Sequence, residues 1–414
     1  MASNSLHLSR ARFTRFKTKQ PFSFGLPNVA ANIAQQSDGS ASYLTRVSSL
    51  LRQQILPTAA SVKIVSDTIH LDVLAKPHWQ QPFHRKRILF LIPADALGDC
   101  VGMAMFLRAF QAAYPSCKIG LLNTGRASDI FATLKDVEIF QLFVSANQLR
   151  RFDTVIDLSE MEGWEDIATA PVDCEGGLCR HFAISPVPLP DTSRHKTDDL
   201  HIAILPMASS PLRTLPPQFV AQTALALCGQ ASSVTVVLNA YQGVKEAYKT
   251  AIGALPGNIT LIDGFKTIGE LIAFISSRDY VIVADSGPAH ITKLSGVPGT
   301  GVYTSASATV LHGRFTNIRA WQSDYQGDYC HAPCGLAKLH ATQEGDIGCM
   351  GSLSVSRDRL VSLPTRRDSA LVQRLSTVEP VPCVRHLTTN FAAFEKFVQS
   401  DIATRARPKT TART

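Results

Sequence analysis

No stretch of the chain stays apolar for the roughly 18–20 residues that a helix needs to cross a bilayer. The run Ile88–Ile92 stops at Pro93. This excludes a membrane-spanning helix. The amino terminus carries Arg10, Arg12, Arg15, Lys17 and Lys19 among Ser and Phe but lacks the apolar core of a secretory signal. Its composition suits a basic tail that touches anionic surfaces, with an organelle transit peptide as the alternative. Cysteine is sparse, nine in 414 residues. A disulfide framework is therefore not expected, and the chain is placed in a reducing cytoplasm.

The body also lacks an excess of either charge. The net charge is +8, but residues 1–37 and 402–414 together hold nine basic residues and no acid, which leaves 32 basic against 33 acidic residues elsewhere. A large basic groove for nucleic acid is excluded on this count. Two motifs are missing as well. No Gly-x-Gly-x-x-Gly follows a strand, which removes an NAD-dependent dehydrogenase. No Asp-x-Asp pair is present to hold a divalent cation.

What is there is an alternation of short apolar strands and helices. Residues 1–84 read as a tail and a small accessory segment, with one or two strands between Val62 and Val73, a turn near Ser66-Asp67 and no strong helical pattern except around Ser42–Ile55. From Arg87 the texture becomes strand, loop, helix: Ile88–Ile92, then Cys100–Tyr114 stopped by Pro115, then strands at Lys118–Leu122, Glu138–Phe143 and Thr154–Leu158. A Pro-rich and charged linker at 185–200 separates this from a second alternation. There, strands at His201–Leu205, Val234–Leu238, Ile259–Ile262 and Tyr280–Ala284 interleave with helices at Pro217–Leu227, Gly243–Ala254 and Ile268–Ser276. Thr267 and Glu270 form a capping box for the last helix. The expected fold class is α/β, with two Rossmann-like doubly wound domains at 85–190 and 200–380 facing a cleft, and a carboxy-terminal helix and basic tail at 381–414. Ligands of such sheets sit beyond the carboxyl ends of the strands.

Three loops carry candidate chemistry. Asp285-Ser286-Gly287-Pro288-Ala289-His290 follows a strand and opens a helix. Free N–H groups of Ser286, Gly287, Ala289 and His290 would then form an anion site sized for a pyrophosphate. The plainer reading is a strand-to-helix turn capped by Asp285. Pro93–Asp99 holds two carboxylates, Asp95 and Asp99, which repel phosphate but suit a general base. Here the plainer reading is Asp99 as the cap of helix 100–114. Pro206–Pro216 offers Ser209 and Arg213, whose fixed positive charge could neutralise a departing phosphate, or simply be solvated.

Taken in order, Arg87-Ile-Leu-Phe-Leu-Ile, Leu97-Gly98-Asp99, Tyr114-Pro115, Arg213-Thr214-Leu215-Pro216 and Asp285-Ser286-Gly287-Pro288-Ala289-His290 resemble glycosyltransferase family 9, the ADP-heptose:lipopolysaccharide heptosyltransferases, from about Arg87 to Val361. The resemblance implies the GT-B fold and an inverting sugar transfer from a nucleotide-diphosphate donor, ADP-heptose favoured, to lipopolysaccharide core, another glycan or a protein. It places Asp99 as catalytic base, and Arg213, Ser209, Asp285, Ser286, Gly287 and His290 on the donor, with no metal required for the chemistry. Arg213 stands where the family usually has Lys, and Leu215 where it usually has Trp. Cys330, Cys334 and Cys349, with His331 and His340 nearby, match a cysteine-containing insert that holds iron in the autotransporter heptosyltransferase branch. Cys-x3-Cys differs from the common zinc spacing, so iron, zinc and plain thiols all stay open. Cys174 and Cys179 read as a loop pair. The competing functions are a non-catalytic sugar-nucleotide-binding protein and a sugar-nucleotide epimerase of the same fold. The cytoplasmic placement includes peripheral contact with the inner membrane.

Overall fold

The chain first builds a mixed sheet. In order come β1 (Ser5–His7), β2 (Ser61–Ser66), β3 (Ile69–Leu74), β4 (Arg87–Leu91), α1 (Leu97–Ala113), β5 (Lys118–Leu122), a 3-10 turn (Ser128–Thr133), β6 (Val137–Phe140), β7 (Thr154–Asp157) and α2 (Cys174–His181). The structure, a computed structural model, describes residues 5–7, 61–66, 69–74, 79–92, 97–123, 127–140, 148, 150–158, 174–187, 199–239, 242–313, 315–327, 331–334 and 370–405. The helix pattern at Ser42–Ile55 lies outside them. Spatial order is β1-β2-β3-β7-β4-β5-β6. Among the described strands of this sheet only β2 and β3 run antiparallel, with Ser66 opposite Ile69. The strands of the accessory segment thus lengthen this sheet instead of forming a body of their own.

Four of the five residues of β4 are buried, as expected of a strand covered on both faces. Its Phe90 meets Phe106 and Phe110 of α1, and Phe182 just beyond α2 packs on all three. Trp79 stacks on Phe182 with ring centroids 5.0 Å apart. This aromatic cluster fixes α1 on the sheet. The helix starts at Leu97 and not at Cys100, so Asp99 is its third residue and not its cap. Cys174 and Cys179 lie on α2, which corrects the expected loop.

The second sheet is wholly parallel. It comprises β8 (His201–Leu205), α3 (Pro217–Cys228), β9 (Ser233–Val237), α4 (Gln242–Ile252), β10 (Ile259–Ile262), α5 (Ile268–Ser276), β11 (Tyr280–Ala284), α6 (Gly287–Ser295), β12 (Gly299–Tyr303), α7 (Ala308–His312) and β13 (Ile318–Gln322). Strand order is β10-β9-β8-β11-β12-β13, so the chain winds outward from β8 in one direction and then from β11 in the other. That is the doubly wound order of a nucleotide-binding domain, with its switch point between β8 and β11. In the first sheet the same reversal falls between β4 and β7. The capping box at Thr267 and Glu270 is present: Glu270 N–H donates to Thr267 Oγ1 at 3.1 Å and the Glu270 carboxylate accepts from Thr267 N–H at 3.4 Å.

Among the described residues three further helices follow, α8 (Ala370–Thr377), α9 (Pro382–Thr389) and α10 (Phe391–Arg405). By contact, residues 1–164 and 174–187 form one unit and the remainder the other. The carboxy-terminal helix belongs to the core of the second unit and is not a separate appendage. Phe394 of α10 lies 4.7 Å from Phe219 of α3, and Phe394, Val398 and Ile402 join the core cluster around β8, β9 and β11. Asp401, buried, accepts from the Tyr280 hydroxyl of β11 and from Arg405. Cutting Phe394 to Ala should therefore destabilise the second unit by about 3–5 kcal/mol. Urea unfolding monitors this; a loss of a few tenths would show α10 to be peripheral.

Candidate functional site

Because β8 and β11 are neighbours in register, Val283 opposite Leu205, the chain segments that leave their carboxyl ends emerge side by side. The segment after β8 is tied into a compact loop. Leu215 N–H returns to the Pro206 carbonyl at 2.9 Å, and Thr214 closes on the Ser210 carbonyl through both its N–H, at 3.2 Å, and its hydroxyl, at 3.1 Å. Two neighbours pin the loop: Thr304 Oγ1 donates to the Leu212 carbonyl at 2.6 Å and Tyr248 Oη to that of Leu215 at 2.9 Å. Leu215 is fully buried in the core.

This loop delivers Arg213 to Asp285. Arg213 Nη1 donates to Asp285 Oδ2 at 3.3 Å and to the Asp285 carbonyl at 3.2 Å, while Nη2 reaches Ser209 Oγ at 3.0 Å. The side chains are 14% and 2% exposed, respectively. Asp285 thus serves as a buried counterion and not as the cap of α6; Ser286 occupies the cap position, and its hydroxyl turns back to the Ala284 carbonyl at 3.1 Å. Burial pushes the Asp285 carboxyl above the usual range, and the positive charges of Arg213 and Lys293 oppose that. Ser286 and Gly287 head the helix. The Ala289 N–H is spent on the Ser286 carbonyl at 3.0 Å, so it is not one of the free donors expected there.

Lys293, in the last turn of α6, is 3% exposed. It donates to the Leu311 carbonyl and lies 3.1 Å from His290 Nδ1 and 4.8 Å from the centre of the Phe315 ring. His290 in turn stacks on His312 at 6.0 Å, and His312 Nε2 is 2.9 Å from the Tyr303 hydroxyl. Burial, reinforced by Lys293, holds both histidines well below their ordinary pKa, hence neutral at pH 7. The described side chains of this cluster therefore include a buried ion pair, Arg213 with Asp285, and a buried lysine, Lys293. Positive charge beside the amino end of a helix favours an anion there.

Of the expected site residues, the structure brings Ser209, Arg213, Asp285, Ser286, Gly287 and His290 to one strand end of the second unit. Asp99 lies in the first unit, partly buried in the first turn of α1, which follows β4 at that sheet's switch point. Asp95 lies outside the described residues, as do Cys330, His340 and Cys349. Cys334 is exposed and its N–H bonds the Ser305 carbonyl at 3.0 Å. Cys383 is buried among Leu212, Leu375, Val381 and Val384. Among the described residues no three His, Cys, Asp or Glu side chains are grouped to hold a metal, and no helix is long and apolar enough to cross a membrane. A hollow of about 570 Å³ lined by Arg87, Lys118, Asp136, Glu138 and Arg151 opens at the amino ends of β4–β6, the edge opposite Asp99. Lys293 and His312 carry weaker sequence signals. Lys293 stands three residues after His290, a spacing that puts the two on one helix face; His312 has no such signal.

Fold and site together define a two-unit, doubly wound α/β protein with Arg213, Asp285, His290 and Lys293 gathered at one switch point. No family model and no curated protein matches the chain. Among solved structures it is similar to the ADP-heptose lipopolysaccharide heptosyltransferase II of E. coli, at 15% identity over 60% of this chain and 93% of that one, with a TM-score of 0.46. A glycosyl transferase family 9 protein from Veillonella parvula matches at 14% over 68% and 97%, TM-score 0.46. TibC, an iron-containing dodecameric glycosyltransferase from enterotoxigenic E. coli, matches at 11% over 78% and 79%, TM-score 0.44.

Removing Arg213 leaves Asp285 buried without its closest cation, at an expected cost of about 3–5 kcal/mol near neutral pH for Arg213→Ala. The carboxyl pKa then rises further, so the native protein binds a proton that the unfolded chain releases, and that proton removes the buried charge. The cost should accordingly shrink towards pH 4 in urea titrations; a cost that grows on acidification refutes the pairing. The two neutral histidines act in the opposite sense. Below their ordinary value of 6.5 the unfolded chain gains protons that the native site refuses. Stability is thus retained above that pH and lost below it, and replacing His312 by Gln should reduce the slope.

Proposed function

We propose that the chain is an inverting glycosyltransferase of the GT-B type, transferring a heptose or related sugar from a nucleotide-diphosphate donor, ADP-heptose favoured, to a hydroxyl of lipopolysaccharide core, another surface glycan or a protein. The observation that carries this reading is Arg213, held by Asp285 beside the amino end of α6. A nucleotide diphosphate suits that place, most strongly as the leaving group departs, when Arg213 and the helix head meet the developing charge. The motif resemblance selects sugar transfer from the other uses of such an anion site.

Asp99 has the corresponding place in the first unit, and its carboxylate there is the candidate general base. In the reaction the acceptor O–H gives its proton to Asp99 as the oxygen attacks the anomeric carbon. The bond from that carbon to the diphosphate oxygen breaks, and the diphosphate leaves with the electron pair. Attack from the face opposite the leaving group inverts the anomeric centre. The basic termini suit peripheral contact with the cytoplasmic face of the inner membrane, where glycan acceptors are assembled.

The reading is tested first by a thermal-shift series of nucleotide sugars, since a ligand at 100 times its Kd stabilises by about 2.7 kcal/mol. ADP-heptose should give the largest shift. Asp99→Asn should fold and bind donor as wild type while transfer to truncated lipopolysaccharide core falls by roughly 10²–10⁴. Equal turnover in that variant removes Asp99 as base. Donor binding with no transfer by the wild-type chain to any acceptor would favour the non-catalytic alternative.

A further inference from the structure

A lysine buried inside an anion site can serve the anion directly or serve the group that meets it, and the contacts of Lys293 favour the second. Its Nζ lies within hydrogen-bond distance of the Leu311 carbonyl and of His290 Nδ1, and it faces the Phe315 ring. A carbonyl oxygen and an aromatic face are both acceptors for a cation. An ammonium has three N–H donors and no lone pair, so the imidazole nitrogen that faces it must present a lone pair. His290 Nδ1 is then unprotonated, and the single proton of the neutral ring sits on Nε2. His290 is the fourth residue of α6, keeps part of its surface open, and shares its cluster with Arg213, Asp285, His312 and Tyr303.

We propose that Lys293 is a positioning residue: by donating to His290 Nδ1 it fixes the imidazole as the Nε2–H tautomer, a neutral hydrogen-bond donor for the diphosphate of a nucleotide at the head of α6. The tautomer assignment stands on the contacts alone; its use by a nucleotide rests on the transferase reading. A neutral donor of this kind keeps its proton when the nucleotide leaves, whereas an imidazolium in the same place would hold the product by full charge. Lys293 contributes its charge from behind, where the Leu311 carbonyl and the Phe315 ring occupy it.

The test is nitrogen-15 NMR of the full chain with labelled histidine, the His290 resonances being identified by their loss in His290→Gln. Wild type without ligand should show an unprotonated Nδ1 and a protonated Nε2 at pH 7. A protonated Nδ1, alone or with Nε2, overturns the proposal. Lys293→Met should release the ring into a mixture of tautomers, while Lys293→Gln, whose amide still donates, should keep Nε2–H. An unchanged tautomer in the Met variant also overturns it. If the Met variant does not fold, wild type and the Gln variant decide. With ADP as probe, the Met variant should bind about tenfold more weakly and the Gln variant less affected. The expected tautomer with no ADP binding by wild type would sink the nucleotide reading and leave the tautomer assignment standing.

Discussion

The candidate donor site depends on one buried ion pair. In water, a cation beside a carboxylate would be unremarkable; beneath the head of α6, where Asp285 is 2% and Arg213 14% exposed, the pair is poorly solvated. The fold tolerates it by distributing the load. Asp285 holds Arg213 and also feels the charge of Lys293, Phe315 and the Leu311 carbonyl share the ammonium, and the two nearby histidines stay neutral.

The pair exists because of strand order. Arg213 and Asp285 are 72 residues apart in the chain, and they meet because β8 and β11 are adjacent at the switch point, where consecutive helices pass to opposite faces of the sheet and leave a crevice. The same topology in the first unit sets the start of α1, and with it Asp99, at the corresponding place. Helix α10 closes the second unit from below: through Asp401 it reaches Tyr280 of β11, the strand whose far end bears Asp285.

Some elements are legible in the chain alone. β4, β5, β8, β10 and β11 announce themselves as short apolar runs, and the capping box at Thr267 marks the start of α5 to the residue. Others are hidden for identifiable reasons. β12 begins Gly-Thr-Gly, which reads as a turn; in the sheet a side chain at Gly299 would collide with the Val281 carbonyl, so the residue that weakens the strand signal is the one that lets the strand pair. Short α8 and α9 carry their apolar residues towards partners distant in sequence, Cys383 and Val384 against Leu212 among them, and such contacts leave no local period.

Local chemistry thus suffices to say that this chain alternates strands with helices, that Gly287-Pro288 opens a helix after a buried strand, and which loops carry charge, because each of these follows from neighbours within a few residues. Whether Asp285 caps that helix or answers an arginine is undecidable at that level, since both uses need the same residue in the same place. The pairing of β8 with β11 resolves it, and the burial of Lys293 beside His290 likewise arises only when α7 and Phe315 close over them. Charge acquires its meaning from what excludes water, and water is excluded by elements far apart in the chain.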